Sequence, residues 1–213
     1  MASRFGLWCV TLIQLATLAG RAQVSQQPSL EIYVYNHAGV SEKVISKAED
    51  DAARIFRRSG LETIWTNCAL VGGGGTNCRG LPKSDSVILQ MVHETTQLKD
   101  DVFGAAFVGR DGSGQYTDVY YDHVSELHRD WRVPIANVLG HVMAHEIGHL
   151  LLGLNSHSNL GIMRGSWSRE ELEAAERGRL LFSSEQSRLM RERLMTLSRR
   201  TLASAAVERA GAP

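Results

Sequence analysis

The stretch His-Glu-Ile-Gly-His at positions 145–149 constrains this chain more than any other feature. Residues four apart lie on one face of an α-helix, one turn above each other. If this stretch is helical, His145 and His149 therefore point two imidazole rings at one place. Glu146 projects beside them, where its carboxylate can reach a water held by an ion between the rings. The pattern predicts a metal site on one helix, with zinc (Zn2+) as the ion and Glu146 as a general base.

A catalytic zinc usually has three protein ligands and one open position, so a further ligand is required. A nearby histidine such as His157 can supply it, because Gly153 can end the helix and reverse the chain. Asn155 lies closer but is a weak zinc ligand. The alternative ligands are three glutamates of a later segment: Glu170, Glu171 and Glu173.

His141 extends the column of helical histidines by one turn, but it cannot share an ion with His149. About 12 Å of helix rise separates the two, whereas zinc–nitrogen bonds are about 2.1 Å long. We expect His141 to lie on the helix face or beside the ligands. For the other histidines we expect surface or ordinary polar roles: His37, His93, His123 and His128.

The amino terminus has the pattern of a cleavable signal peptide over residues 1–22. Arg4 precedes the apolar run Phe5–Ala19, and small residues lead to a cleavage point before Gln23. The run is shorter than the roughly 20 residues that a spanning helix needs. We therefore expect a secreted or periplasmic protein with no stable membrane insertion after cleavage, whose residues 23–213 form one domain.

Two cysteines remain after removal of the predicted signal peptide, Cys68 and Cys78, and they are separated by a glycine-rich loop. An even number of cysteines in an exported chain favours a disulfide between them. The formal net charge is zero and no basic nucleic-acid-binding module is present, so nucleic acid is not an expected partner.

Alternating apolar patterns and turn signals predict an α+β fold with five strands and two long helices. The predicted strands are Leu30–Tyr35, Leu61–Trp65, Ser86–Val92, Phe103–Val108 and Tyr116–Tyr121, and the helices are Ser41–Ser59 and Pro134–Leu152. Capping boxes at Ser168-x-x-Glu171 and Ser183-x-x-Gln186 predict a C-terminal helical part over about 168–213.

The segment from His145 to Met163 resembles that of the metzincin zinc peptidases of the zincin superfamily. Both have two helical histidines, a glycine that turns the chain, a third histidine and a methionine turn. The resemblance implies a zincin-like mixed sheet with a backing helix and an active-site helix, zinc on His145, His149 and His157, and Met163 in the methionine turn. It also implies that Phe103–Val108 is an edge strand that aligns a peptide substrate.

The spacing departs from the family pattern, because one extra residue precedes Gly153 and another precedes His157. The tyrosine that some relatives carry after the methionine turn is also missing, since Arg164 and Gly165 follow Met163.

The sequence predicts a small, monomeric, secreted zinc endopeptidase in which Glu146 activates a zinc-bound water. The alternative is a non-catalytic, metal-stabilised extracytoplasmic binding protein of the same fold. A structural zinc site usually has four protein ligands and needs no base, so Glu146 favours the enzyme.

Overall fold

A five-stranded sheet forms the centre of the protein. The structure, a computed structural model, describes residues 27–70, 78, 83, 85–93 and 102–210. Its strands are β1 (Ser29–Asn36), β2 (Glu62–Cys68), β3 (Ser86–Val92), β4 (Gly104–Phe107) and β5 (Tyr116–Tyr120), in the spatial order β2-β1-β3-β5-β4. All neighbours are parallel except β4, which runs antiparallel to β5 at one edge. The predicted mixed five-stranded sheet is confirmed.

Five helices accompany the sheet in the described part of the chain: α1 (Glu42–Arg58), α2 (Tyr121–Trp131), α3 (Ile135–Leu152), α4 (Arg169–Glu176) and α5 (Ser184–Ala210). The backing helix, the helix with His145 and His149, and the two C-terminal helices were all predicted from the sequence. The predicted α+β arrangement of a mixed sheet, a backing helix and C-terminal helices is therefore confirmed. Both predicted capping boxes form, the first between Ser168 and Glu171 and the second between Ser183 and Gln186.

The core forms where α1 and α3 cover the sheet. The inward residues of β1 are almost fully buried, as its alternating pattern requires. On α1, Ile55 and Phe56 are completely buried. The two helices cross closely at Gly140, where an added Cβ would lie 2.5 Å from the carbonyl oxygen of Ala48. Helix α3 is buried on nearly every side, so it is a fixed platform for the side chains it carries.

Helix α2 was not predicted from the sequence. Its apolar stripe is short: Val124 is buried, and Tyr121 and Leu127 are partly buried against the core. The predicted fifth strand included Tyr121, so the rest of the stripe did not stand out as a helix. Two histidines in it contact backbone carbonyls: His123 Nδ1 lies 2.6 Å from Val102 O, and His128 Nδ1 lies 2.6 Å from Val133 O. Both contacts are ordinary polar roles, as expected, and His123 makes its contact while buried in the interior.

A disulfide joins Cys68, at the end of β2, to Cys78, as the sequence predicted. The two cysteines are ten positions apart. A covalent link that closes a loop of this size restricts the unfolded chain and stabilises the folded one by about 2–3 kcal/mol.

Replacing both Cys68 and Cys78 by alanine is therefore expected to lower the free energy of unfolding by about 2–3 kcal/mol. Urea denaturation of the wild-type and double-variant proteins measures the difference. The wild-type protein in reducing buffer is the matched control and should lose a similar amount. An unchanged urea midpoint and slope would show that the disulfide does not contribute.

The predicted signal peptide, residues 1–22, lies outside the described residues. Among the helices of the described part, none combines the length and apolarity needed to cross a membrane.

Candidate metal centre

Three histidines converge at the carboxyl-terminal end of α3. One ring nitrogen from each of His145, His149 and His157 lies within 4.8 Å of the others. The rings of His145 and His149 are 4.7 Å apart between centroids, and His157 lies 5.5 Å and 4.7 Å from them. The structure thus brings together the three predicted zinc ligands, and no other described residue joins the group.

The helical pair meets because one turn of α3 separates the two rings. The Nε2 atoms of His145 and His149 lie 3.0 Å apart. His145 Nδ1 lies 2.6 Å from the carbonyl oxygen of Ile162. A carbonyl can only accept a hydrogen bond, so Nδ1 carries the proton and the lone pair of Nε2 points into the cluster.

Ser156 orients the second ring of the helical pair. Its Oγ lies 2.6 Å from His149 Nδ1. When His149 Nδ1 donates to this hydroxyl, Nε2 of His149 also presents a lone pair beside that of His145. Two lone pairs at this distance favour a shared cation. Sequence reasoning missed Ser156, because a serine in a loop gives no signal of the ring it will contact.

His157 reaches the pair through two residues with left-handed backbone. Gly153 ends α3 with φ +84°, and its N–H donates to His149 O at 2.9 Å. Asn155 follows with φ +57°, a conformation that asparagine tolerates better than most residues. The two reversals absorb the extra residues of the stretched spacing. Asn155 lines the cavity, but it is not part of the histidine cluster.

The glutamates considered as alternative ligands are engaged elsewhere or lie outside the cluster. Glu171 accepts from Ser168 N–H at 2.8 Å and pairs with Arg164 at 2.6 Å. Glu173 pairs with two arginines on the outer face of α4. Glu170 is exposed, and in the described chain no carboxylate joins the three imidazoles.

His141 lies away from the cluster, in the contact between α1 and α3. It is completely buried, and its Nδ1 lies 2.8 Å from the carbonyl oxygen of Asn137. It therefore occupies a helix face, one of the two positions expected for it.

A methionine packs against α3 next to His149. Met163 is fully buried, and an added Cβ at Gly148 would lie 2.7 Å from its Sδ. Glycine at this position of the motif therefore lets the segment around Met163 pack directly on α3. The Met163 carbonyl accepts from Ser158 N–H at 2.8 Å, which ties this segment to the residue after His157.

Glu146 is 5% exposed and lies beside the backbone of β4. An added Cβ at Gly104 would lie 2.6 Å from Glu146 Cγ and 2.6 Å from Asp118 O. Only glycine permits this approach of the edge strand to the carboxyl group. The sequence did not predict this need for Gly104, since it arises from two segments distant in the chain.

Burial controls the protonation of His145, His149 and Glu146. It lowers the pKa of His145 to about 4, and burial together with the two neighbouring histidines lowers that of His149 to about 3. Both rings are therefore neutral at pH 7, which is the form that binds metals. Burial also raises the pKa of Glu146 to about 8. A nearby cation would favour its ionised form and bring this pKa down.

The residues present fit a zinc ion. Ligand nitrogens in a tetrahedral site with bonds of about 2.1 Å lie about 3.4 Å apart. The Nε2 atoms of the helical pair lie 3.0 Å apart, close to this spacing. The widest separation in the cluster, at most 4.8 Å, must shorten by roughly 1.5 Å or less. Three imidazoles that leave one position open are a common donor set of catalytic zinc.

A cavity of about 340 Å³ opens above the cluster. One wall is the start of the edge strand, including Gly104 and Ala105. Trp167 forms another part, with its ring 6.2 Å from that of Phe103 and 5.8 Å from that of His145. Its Nε1–H donates to Ile162 O at 3.3 Å, the same carbonyl that accepts from His145. Sequence analysis singled out neither aromatic side chain.

Comparison with known proteins adds a distant structural similarity. No family model matches the chain, and no curated protein does. Among solved structures, the crystal structure of archaemetzincin from Methanopyrus kandleri is similar to this chain with a TM-score of 0.49. The two are 17% identical, and the similarity covers 81% of this chain and 99% of the other.

Proposed function

We propose that this protein is a zinc-dependent endopeptidase. The observation that carries the proposal is the convergence of three imidazoles and the buried carboxyl of Glu146 at the floor of an open cavity. This arrangement places a candidate base beside a candidate metal site, as the H-E-x-x-H pattern requires. The resemblance of 145–163 to the metzincin motif points to the same chemistry.

The proposed mechanism divides the reaction between the metal site and Glu146. Bound zinc would supply Lewis-acid chemistry, making water more acidic and polarising the carbonyl oxygen of the substrate. His145, His149 and His157 would hold the ion, and Ile162 O and Ser156 would orient two of their rings. Glu146 would take the proton of the attacking water and pass it to the leaving nitrogen.

Strand β4 is the proposed site of substrate alignment. It lies at the sheet edge, and three of its residues, Gly104, Ala105 and Ala106, line the cavity. An extended peptide can pair with such an edge through main-chain hydrogen bonds, which hold any sequence in register. This mode suits a peptidase that binds several residues on each side of the bond it cuts.

The number of ligands argues against the non-catalytic alternative. A structural zinc has four protein ligands, whereas the cluster of described residues has three. The cavity above these ligands leaves room for a substrate.

The proposed cellular setting is outside the cytoplasm. The disulfide is consistent with an extracellular location. The signal pattern of residues 1–22 completes this part of the proposal, with 23–213 as a single, monomeric catalytic domain acting on a peptide or protein.

Removing the metal tests the proposed function. We expect the purified protein to contain about one zinc per chain and to cleave members of a diverse peptide library. A chelator should abolish cleavage, because the imidazoles alone cannot activate water or polarise a carbonyl. Added zinc should restore it. Equal cleavage by the metal-free protein, with metal content verified, would contradict the proposal.

A further inference from the structure

Arg164 lies in the wall of the cavity beside the histidine cluster. A backbone bridge pairs it with Ser158, the residue that follows His157. Gly165, the next residue in the chain, lies close to the ring of His157, since an added Cβ there would lie 3.2 Å from His157 Nδ1. The arginine is therefore attached to the same turn as the third histidine.

The guanidinium of Arg164 is held in place by a buried carboxylate. Nη1 donates to Glu171 Oε1 at 2.6 Å, and Glu171 is only 8% exposed. The other oxygen of Glu171 accepts from Ser168 N–H at 2.8 Å and from its hydroxyl at 2.5 Å. Burial alone would raise the pKa of Glu171, but the contacts with Ser168 and Arg164 outweigh it and hold that pKa below its usual range. The carboxylate stays ionised and fixes the arginine.

Arg164 keeps hydrogen-bonding capacity that this contact does not use. A guanidinium has five N–H donors in a planar fork, and the contact with Glu171 is through Nη1. The side chain of Arg164 is 39% exposed, whereas the side chain of Glu171 is 10% exposed. Among the described residues that line the cavity, Arg164 is the one with a permanent positive charge.

We propose that Arg164 binds a carboxylate of the substrate close to the scissile bond, and so determines specificity. This inference rests on the proposed peptidase function and names its substrate class: peptides with a carboxylate beside the bond that is cut. A planar fork binds a carboxylate through two parallel hydrogen bonds. In an endopeptidase this carboxylate is an acidic side chain of a residue that adjoins the scissile bond.

A set of matched peptides tests this preference. A peptide that is blocked at both ends and that the enzyme cuts is remade with Glu or Gln at each position adjoining the scissile bond. We expect one of these pairs to differ at least roughly ten-fold in kcat/KM in favour of the carboxylate, as charge-assisted hydrogen bonds allow. No difference within any pair would overturn the proposal.

Variants of the ion pair separate recognition by Arg164 from recognition by the metal. Arg164→Gln should reduce the preference to about one-fold, both alone and combined with Glu171→Gln, which avoids leaving a buried charge unpaired. Glu171→Gln alone is the matched control. It keeps a capping residue and the guanidinium of Arg164, so the preference for the carboxylate peptide should persist. A preference that survives Arg164→Gln would place the carboxylate elsewhere and overturn the inference.

Failure of the proposed function gives a different result from failure of this inference. If no peptide is cut, blocked peptides that differ only in Glu or Gln at one position are titrated calorimetrically into the wild-type protein and into Arg164→Gln. Tighter binding of the carboxylate peptide to the wild-type protein alone supports the role of Arg164. Equal binding of both peptides to the wild-type protein contradicts it.

Discussion

Replacing Glu146 by glutamine is expected to lower kcat/KM for peptide cleavage by roughly a hundred- to ten-thousand-fold, the contribution of a general base. Zinc content should stay near one per chain, because the carboxamide has nearly the same shape as the carboxylate. In addition, Glu146 does not belong to the cluster of three histidines that is proposed to hold the ion. The change removes the only proposed proton acceptor in the floor of the cavity. Peptidase kinetics and metal analysis of the same sample measure both quantities.

Glu126→Gln is the matched control for this prediction. Glu126 lies on α2 in an exposed pair with Arg129, away from the cavity-lining residues, and its replacement should leave kcat/KM unchanged. Full activity of Glu146→Gln would contradict the mechanism. Loss of zinc from that variant would instead show that the carboxylate helps to hold the ion.

Replacing His157 by alanine is expected to weaken zinc binding by more than about a hundred-fold, since even residues that only support a ligand are worth ten- to a hundred-fold. The two helical histidines would remain, but a pair cannot hold zinc with the affinity of three ligands. Competition with a chromophoric chelator measures the affinity. Circular dichroism establishes that the variant remains folded.

His93→Ala is the matched control for the ligand, because His93 is exposed and pairs with Asp122 outside the cluster. Its zinc affinity should equal that of the wild-type protein. Unchanged affinity in His157→Ala would contradict the role of His157. The same measurement on Glu170→Gln, Glu171→Gln and Glu173→Gln would then identify whether one of them supplies the third ligand.

The local patterns of the chain predicted most of the fold. Strand β1 was recognisable because its buried residues alternate, and α1 because its apolar residues recur once per turn. The capping box of Ser168 and Glu171 depends on residues three apart and formed as predicted. Helix α2 was missed because its apolar stripe is short and begins at Tyr121, which the predicted fifth strand included.

In the candidate site too, some residues were predictable from local patterns and others were not. His145, Glu146 and His149 lie within five residues on one helix, so their common direction follows from helix geometry alone. The position of His157 beside the other two rings depends on backbone reversals at Gly153 and Asn155. The reversal at Asn155 was not predicted. The roles of Ser156 and Gly104 depend on contacts between segments and leave no pattern in the sequence.

The sequence by itself determined the metal-binding motif, the helix that carries it, the strands of the sheet and the disulfide pair. Each of these depends on periodicity, spacing or composition, which are properties of residues close together in the sequence. Only the tertiary structure decided that Glu146 meets the edge strand at Gly104, and that Arg164 is held by Glu171 in the cavity wall. Burial and close approach are properties of packed segments, and they shift pKa values and orient side chains only once the chain has folded.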